Sequence, residues 1–222
     1  MNIKFFNDPG RLWNLILLML DGMEVTLSIF FLTLLLSIPL GMLIAQGRMA
    51  ASKWVRGPLS FYIYIMRSTP LMLQIMFIYF WLPTVLPFRV DRFIAVIFAF
   101  AINYAAYFAE IFRGGIQSIP VGQYEAGKVL GYTKGQTFFR IVLPQVLKRV
   151  LLPVTNEIIT LIKDTALAST VAVVELMTIA KKQVSGSSSI EPYFVAIIMY
   201  LILNGVAEQL CKLCERKLSY YQ

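Results

Sequence analysis

The stretch Glu125-Ala126-Gly127-Lys128-Val129-Leu130-Gly131, running on to Ile141-Val142-Leu143-Pro144, is a polar island between two long apolar segments. An exposed acid at Glu125 offers a point of attachment for basic side chains of a partner. Ala126 and Gly127 carry almost no side-chain bulk and let two helices approach closely. Gly131 permits the positive φ of a turn between two short helices. Pro144, behind Ile141 and Leu143, restarts the chain into the next apolar segment. A helical loop held between apolar spans makes the chain an all-α integral membrane protein.

The composition agrees. Of 222 residues, 58% are hydrophobic and 14% charged, where soluble domains carry about a quarter charged residues. The length suits a single transmembrane domain over residues 1–222. A net charge of +8 raises the possibility of nucleic acid as a partner. The charges sit between apolar runs rather than on a polar domain, so no nucleic-acid partner is expected. The first apolar run, Leu12 to Leu20, is short, contains Asn14 and leads to Asp21-Gly22-Met23-Glu24 rather than to a small-residue cleavage site. It reads as an amphipathic segment lying at the membrane surface, not as a cleavable signal. Cys211 and Cys214 form a lone C-x-x-C without the two further ligands of a zinc site and without the setting of a redox motif. With no histidine and no nucleophile constellation, the chain reads as a non-enzyme that binds neither metal nor cofactor.

Five stretches are long enough to cross a hydrocarbon core, which takes about twenty residues: 25–46, 66–86, 92–112, 146–166 and 193–213. Backbone groups find no water in lipid, so each is predicted helical. Pro70, Pro83 and Pro153 predict kinks or broken turns in the second and fourth. Residues 166–182 either prolong the fourth helix or fold back as a short external helix, and Gly186-Ser187-Ser188-Ser189 makes a turn before the last span. No internal repeat is evident, so a symmetric path needs a second copy or a paralogue.

Basic residues set the orientation. Arg48, Lys53, Arg56, Arg113, Lys128, Lys134, Arg140, Lys148, Arg149, Lys212, Arg216 and Lys217 fall on one side of the spans. The smaller set of Lys4, Arg11, Arg89, Arg92, Lys181 and Lys182 falls on the other. The positive-inside rule puts the larger set in the cytoplasm, with the amino terminus outside, the carboxyl terminus inside and residues 113–145 cytoplasmic.

The island resembles the cytoplasmic coupling loop of ABC-importer membrane subunits, E-A-A-x3-G-x9-I-x-L-P, with Gly127 where alanine is usual. The matching residues are Glu125, Ala126, Gly131, Ile141, Leu143 and Pro144. Tyr107 to Ile119, Gly122-Gln123, Arg67-Ser68-Thr69-Pro70-Leu71 and Gly131-Tyr132 look like permeases of the polar amino-acid family, which transport histidine, arginine, glutamine or cystine. The resemblance runs from about residue 20 to the end. It implies a type I ABC importer permease fold in the cell (inner) membrane. Cytoplasmic ATPase subunits carrying ATP and magnesium would dock on the loop, a second permease subunit (identical or not) would complete the path, and an extracytoplasmic solute-binding protein would deliver substrate. Gly122-x4-Gly127-Lys128 has P-loop spacing, but Val129 stands where Ser or Thr must ligate magnesium and no strand precedes it. ATP binding is therefore assigned to another subunit.

In the fourth span Asn156, Glu157, Thr160, Lys163 and Asp164 share one helix face. A carboxylate at bilayer depth costs about 3 kcal/mol or more and needs a partner or a wet cavity. Glu157 reads as the deeper acid, with Asp164 and Lys163 nearer the outer surface. Two readings stand for Glu157. It accepts the cationic group of a solute, with Asn156 and Thr160 supplying hydrogen bonds, or it is a structural carboxylate bonded to neighbouring helices or across a dimer seam. By resemblance, an acid at 157, where some relatives have Gln, leans towards cationic amino acids; glutamine or cystine on the same architecture is the alternative. An ion-coupled carrier using Glu157 or Asp164 is a further reading. Asn103, Tyr107 and Glu110 make a second stripe in the third span. Asn103 either joins helices or lines the path, and Glu110 pairs with Arg113. Arg67 reads as a gating residue or a salt-bridge partner.

Overall fold

The computed structural model describes residues 5–85 and 89–218, the side chain of Leu218 excepted. Lys4 and the last residue of the predicted span 66–86 lie outside the described residues. Every regular element among the described residues is helical. In chain order they are α1 (Pro9–Arg48), α2 (Lys53–Ser68), α3 (Leu71–Met76), α4 (Leu82–Val85), α5 (Arg92–Gln117), α6 (Val121–Val129), α7 (Lys134–Thr137), α8 (Leu143–Asp164), α9 (Leu176–Ser187) and α10 (Glu191–Leu218). π-Helical turns cover Phe77–Trp81 and Phe138–Val142, and a 3-10 turn covers Thr165–Val171.

Asp8 caps α1, accepting from the Gly10 and Arg11 N–H groups at 3.0 and 3.2 Å, and Pro9 suits the first turn. The helix has 40 residues. At about 1.5 Å per residue it is ~60 Å long, twice the ~30 Å of a hydrocarbon core. The surface segment expected over Leu12–Leu20 is therefore not a separate element but the first part of α1. Gly22, within the polar stretch expected to separate the two, is a crossing point instead. A Cβ there would lie 2.6 Å from Ile179 Cδ1 and 3.0 Å from Leu176 Cα of α9.

Helices α1 and α5 form the largest pair in the fold. Their seam is built of small residues. Ala105, Ala106 and Ala109 are fully buried, and a Cβ on Gly41 would lie 2.7 Å from Phe108 Cβ and 3.1 Å from the Ala105 carbonyl oxygen. Lipid gives helices no hydrophobic incentive to associate, so such close backbone approach supplies the packing.

Three helices, α1, α5 and α10, are long and apolar enough to cross a membrane. The pair Lys53–Ser68 and Leu71–Val85 would add a fourth, bent by 108° at Thr69-Pro70. The span predicted from residue 66 thus begins in the last turn of α2 and restarts after the bend. Helix α8 has 22 residues, but Lys148, Arg149, Glu157, Lys163 and Asp164 keep it out of the apolar group. Beyond it residues 166–182 hold both a prolongation of the helix and a separate short helix. The 3-10 turn extends α8, and after Ala172, with φ at 57°, α9 folds back against α1 and α10. The carboxylate of Glu175, fully buried, caps α9, accepting from Met177 N–H at 2.7 Å, Thr178 N–H at 2.6 Å and the Tyr200 hydroxyl at 3.1 Å. Burial pushes this carboxyl above its ordinary range, and these hydrogen bonds pull it back.

Gly41→Val is expected to destabilise the protein by about 1–3 kcal/mol through overpacking of the α1–α5 seam. Gly114→Ala, inside α5 where a Cβ meets nothing within 4 Å, should instead stabilise it by about 0.5–1 kcal/mol. Thermal unfolding in detergent measures both.

Candidate functional site

The site begins with an arithmetic of hydrogen bonds. In a continuous helix the Met66 carbonyl would accept from the N–H of residue 70, and proline has none. Pro70 also drives Thr69 into extended backbone, φ −117° and ψ 146°, as the residue before proline prefers. The freed carbonyls must be paired. Two side-chain amides do it. Asn103 Nδ2 donates to the Met66 carbonyl at 2.9 Å and to Gln74 Oε1 at 3.0 Å. Gln74 Nε2 donates to the Met66 and Thr69 carbonyls at 3.1 and 3.2 Å and to Thr69 Oγ1 at 2.8 Å. Asn103, 4% exposed, is thus the joint between α5 and the broken helix.

Beside the break lies a cavity of about 360 Å³. Glu157, Thr160 and Asp164 of α8 line it, facing Tyr104 and Tyr107 of α5 and Thr69 at the break. The Tyr104 hydroxyl donates to Asp164 Oδ2 at 2.8 Å. The Arg67 guanidinium carbon lies 5.2 Å from the centre of the Tyr107 ring. It stacks on the aromatic face, and among the described residues it closes no ion pair with a carboxylate. Two acids and two tyrosines border one space, and carboxylates in such a place can attract a cationic group.

The predicted stripe divides on folding. Glu157, Thr160 and Asp164 converge with Asn103 on the cavity. Asp164, expected nearer the outer surface, shares the cavity with Glu157. Asn156 is exposed and does not line it, and Lys163 points into another groove with Ile159, Tyr200 and Asn204. Glu110 pairs with Arg113 at 2.6 Å and with Arg48 at 3.6 Å, tying α1 to α5. Sequence reasoning passed over Tyr104 and Gln74. A tyrosine in an apolar helix reads as packing, but a lone glutamine four residues after a mid-span proline was a usable signal.

The polar island folds into α6 and α7 joined by a tight turn. Gly131 has φ 73°, the left-handed region open to glycine. Thr133 and Gln136 cap α7 reciprocally. Gly127 is buried, and a Cβ there would lie 2.5 Å from Thr137 Oγ1, so α6 sits directly on α7. Glu125 and Ala126 face outwards, beside Val121, Val129 and Leu130, which are 71%, 87% and 65% exposed. Ile141 lies in the π-helical turn, and Leu143 and Pro144 open α8. Gly122 to Lys128 is helical; its N–H groups serve the helix and do not wrap a phosphate.

A helical membrane bundle with a polar cavity at a broken helix and an exposed polar loop is the architecture of a transport subunit. Residues 37–220 match the family described as binding-protein-dependent transport system inner membrane component, and the chain belongs to that family. It is 37% identical to the octopine transport system permease protein OccM of Rhizobium radiobacter over 94% of this chain and 89% of the relative. It is 33% identical to the arginine transport system permease protein ArtQ of Bacillus subtilis over 90% of this chain and 92% of the relative. The fold is similar to the crystal structure of an amino acid ABC transporter with histidines, with a TM-score of 0.88 at 31% identity, covering 98% of this chain and 100% of that one. Other relatives are named for L-cystine and glutamine transport.

Asn103→Leu should destabilise the protein by about 1–3 kcal/mol, since it removes the two hydrogen bonds that join α5 to the Met66 carbonyl and to Gln74 Oε1. Asn156→Leu, at an exposed position, should change stability by less than about 0.5 kcal/mol. Thermal unfolding of the two variants side by side checks the contrast.

Proposed function

We propose that the chain is the transmembrane permease subunit of an ATP-driven importer of polar amino acids, and that it favours cationic ones. The observation that carries the substrate class is the convergence of Glu157, Asp164, Tyr104 and Tyr107 on one cavity beside the break in the second span. The carboxylates take the ammonium or guanidinium of the solute, Thr160 adds a hydrogen bond, and the Arg67 guanidinium on Tyr107 is a cation that the solute can displace. Relatives named for arginine and octopine transport support this reading.

A second permease subunit, identical or homologous, encloses the path with this one. An extracytoplasmic binding protein delivers the solute. ATPase subunits, which carry the ATP and magnesium, dock on the loop of α6 and α7 through Glu125 and the apolar side chains beside it. The amino terminus is outside and the carboxyl terminus in the cytoplasm, by the distribution of basic residues. Closure of the ATPases drives the loops together. Because α6 rests on α7 through Gly127, and α7 continues through the π-helical turn into α8, that movement is carried along the helix bearing Glu157. The path alternates between inward-facing and outward-facing states, and the chain itself makes and breaks no covalent bond.

The test is ATP-driven uptake of labelled arginine by the assembled transporter in vesicles, with Glu157→Gln beside the unaltered chain. Lysine should compete with arginine and glutamine should not. Glu157→Gln should weaken arginine by about 1–3 kcal/mol, roughly 5–150-fold, and affect neutral amino acids little. Equal loss for both classes would make Glu157 a structural carboxylate, and glutamine or cystine uptake without arginine uptake would overturn the cationic preference.

A further inference from the structure

A second cavity, of about 510 Å³, opens where α6 meets the start of α8. Arg140, Lys148 and Arg149 line it, with Gln123, Pro144 and Gln145, and no carboxylate is among the lining residues. Gln145 Nε2 donates to Gln123 Oε1 at 3.1 Å and to the Ile141 carbonyl at 2.8 Å. Arg149 donates to the Ser118 carbonyl, and the Arg140 guanidinium carbon lies 5.6 Å from the centre of the Tyr132 ring. Among the described residues neither the Lys148 ammonium nor the Gln123 amide N–H groups have a partner. Three cations held together without a counter-ion repel one another unless an anion joins them.

The same face of α8 carries Leu152, Thr155 and Ile159 further along. Leu152, four residues after Lys148, is 60% exposed. Ile159, eleven residues after Lys148, is rotated from it by only about 20°. Ile159 lines a groove of about 520 Å³ between α8 and α10, where Ile197 and Leu201 are 61% and 70% exposed and where Lys163 and Asn204 stand at the polar side. From Lys148 to Ile159 is ~16 Å along the helix, about half a hydrocarbon core. A basic pocket and a largely apolar groove thus stand along α8 about one leaflet's depth apart.

We infer that this surface binds an anionic phospholipid. Its phosphate sits among Arg140, Lys148 and the Gln123 amide, and an acyl chain lies along Leu152 into the α8–α10 groove. Basic pockets between helices at the cytoplasmic boundary are suited to such headgroups. The apolar continuation favours a lipid over free phosphate or an acidic protein segment. Gln123 belongs to α6 and Lys148 to α8, so the headgroup fastens the polar loop to the helix that lines the solute cavity.

The test uses the assembled transporter, delipidated and placed in nanodiscs of phosphatidylcholine alone or with phosphatidylglycerol. Native mass spectrometry then counts the lipid retained. The unaltered complex should retain phosphatidylglycerol and not phosphatidylcholine. Lys148→Gln and Arg140→Gln should each weaken retention about fivefold, and Lys148→Arg should restore it. Equal retention in all variants would overturn the proposal. So would displacement of the lipid by millimolar inorganic phosphate, which marks a free-phosphate site, or loss of the ATPase subunits with lipid retention unchanged, which marks a protein-docking surface.

Discussion

The absence of one N–H group, at Pro70, governs the arrangement around the solute cavity. Without it the Met66 carbonyl has no partner within its own helix, and a carbonyl in lipid cannot be left to water. Asn103 and Gln74 supply the missing donors from side chains, and the chain turns through 108°. An apolar residue at Gln74 would leave the Thr69 carbonyl without its donor, and one at Asn103 would leave the Met66 carbonyl to Gln74 alone. The polar space beside the break follows from the same repair, since donors brought in to mend a backbone also make a place where charged groups can stand.

Helix α8 uses that place. Its acids would be costly against hydrocarbon, and the fold turns Glu157 and Asp164 towards the tyrosines of α5 instead. The distinction between structural and functional carboxylates is visible in their neighbours. Glu110 is held by Arg113 and Arg48 and serves as a clamp between helices. Asp164 accepts from the Tyr104 hydroxyl, and among the described residues Glu157 closes no ion pair, the Arg67 charge acting on it from a distance. An acid of that kind is available to a cationic solute.

Much of this was legible in the sequence. The spacing of Glu125, Gly131 and Pro144 marked a helical loop between spans, and the family match over residues 37–220 agrees with the resemblance those residues carried. The stripe on α8 put Glu157 and Thr160 on one face, and both line the cavity, because helical periodicity relates residues on one helix. It went too far with Asn156, since periodicity defines a face only to within a wide arc and says nothing of what stands opposite. Tyr104 and Gln74 were missed for the same reason: their roles depend on another helix. The long α1 was hidden by Gly22, whose role as a crossing point against α9 requires knowledge of the neighbour.

The central claim is that the cavity beside the Pro70 break lies on the solute path. Its most direct test is a cysteine at Thr160 in a chain with Cys211 and Cys214 changed to serine, assembled with its partner subunits. A water-soluble thiol reagent should label that cysteine, and saturating arginine should slow the labelling while alanine does not. A cysteine that never reacts, or one that reacts equally fast with and without arginine, would contradict the account.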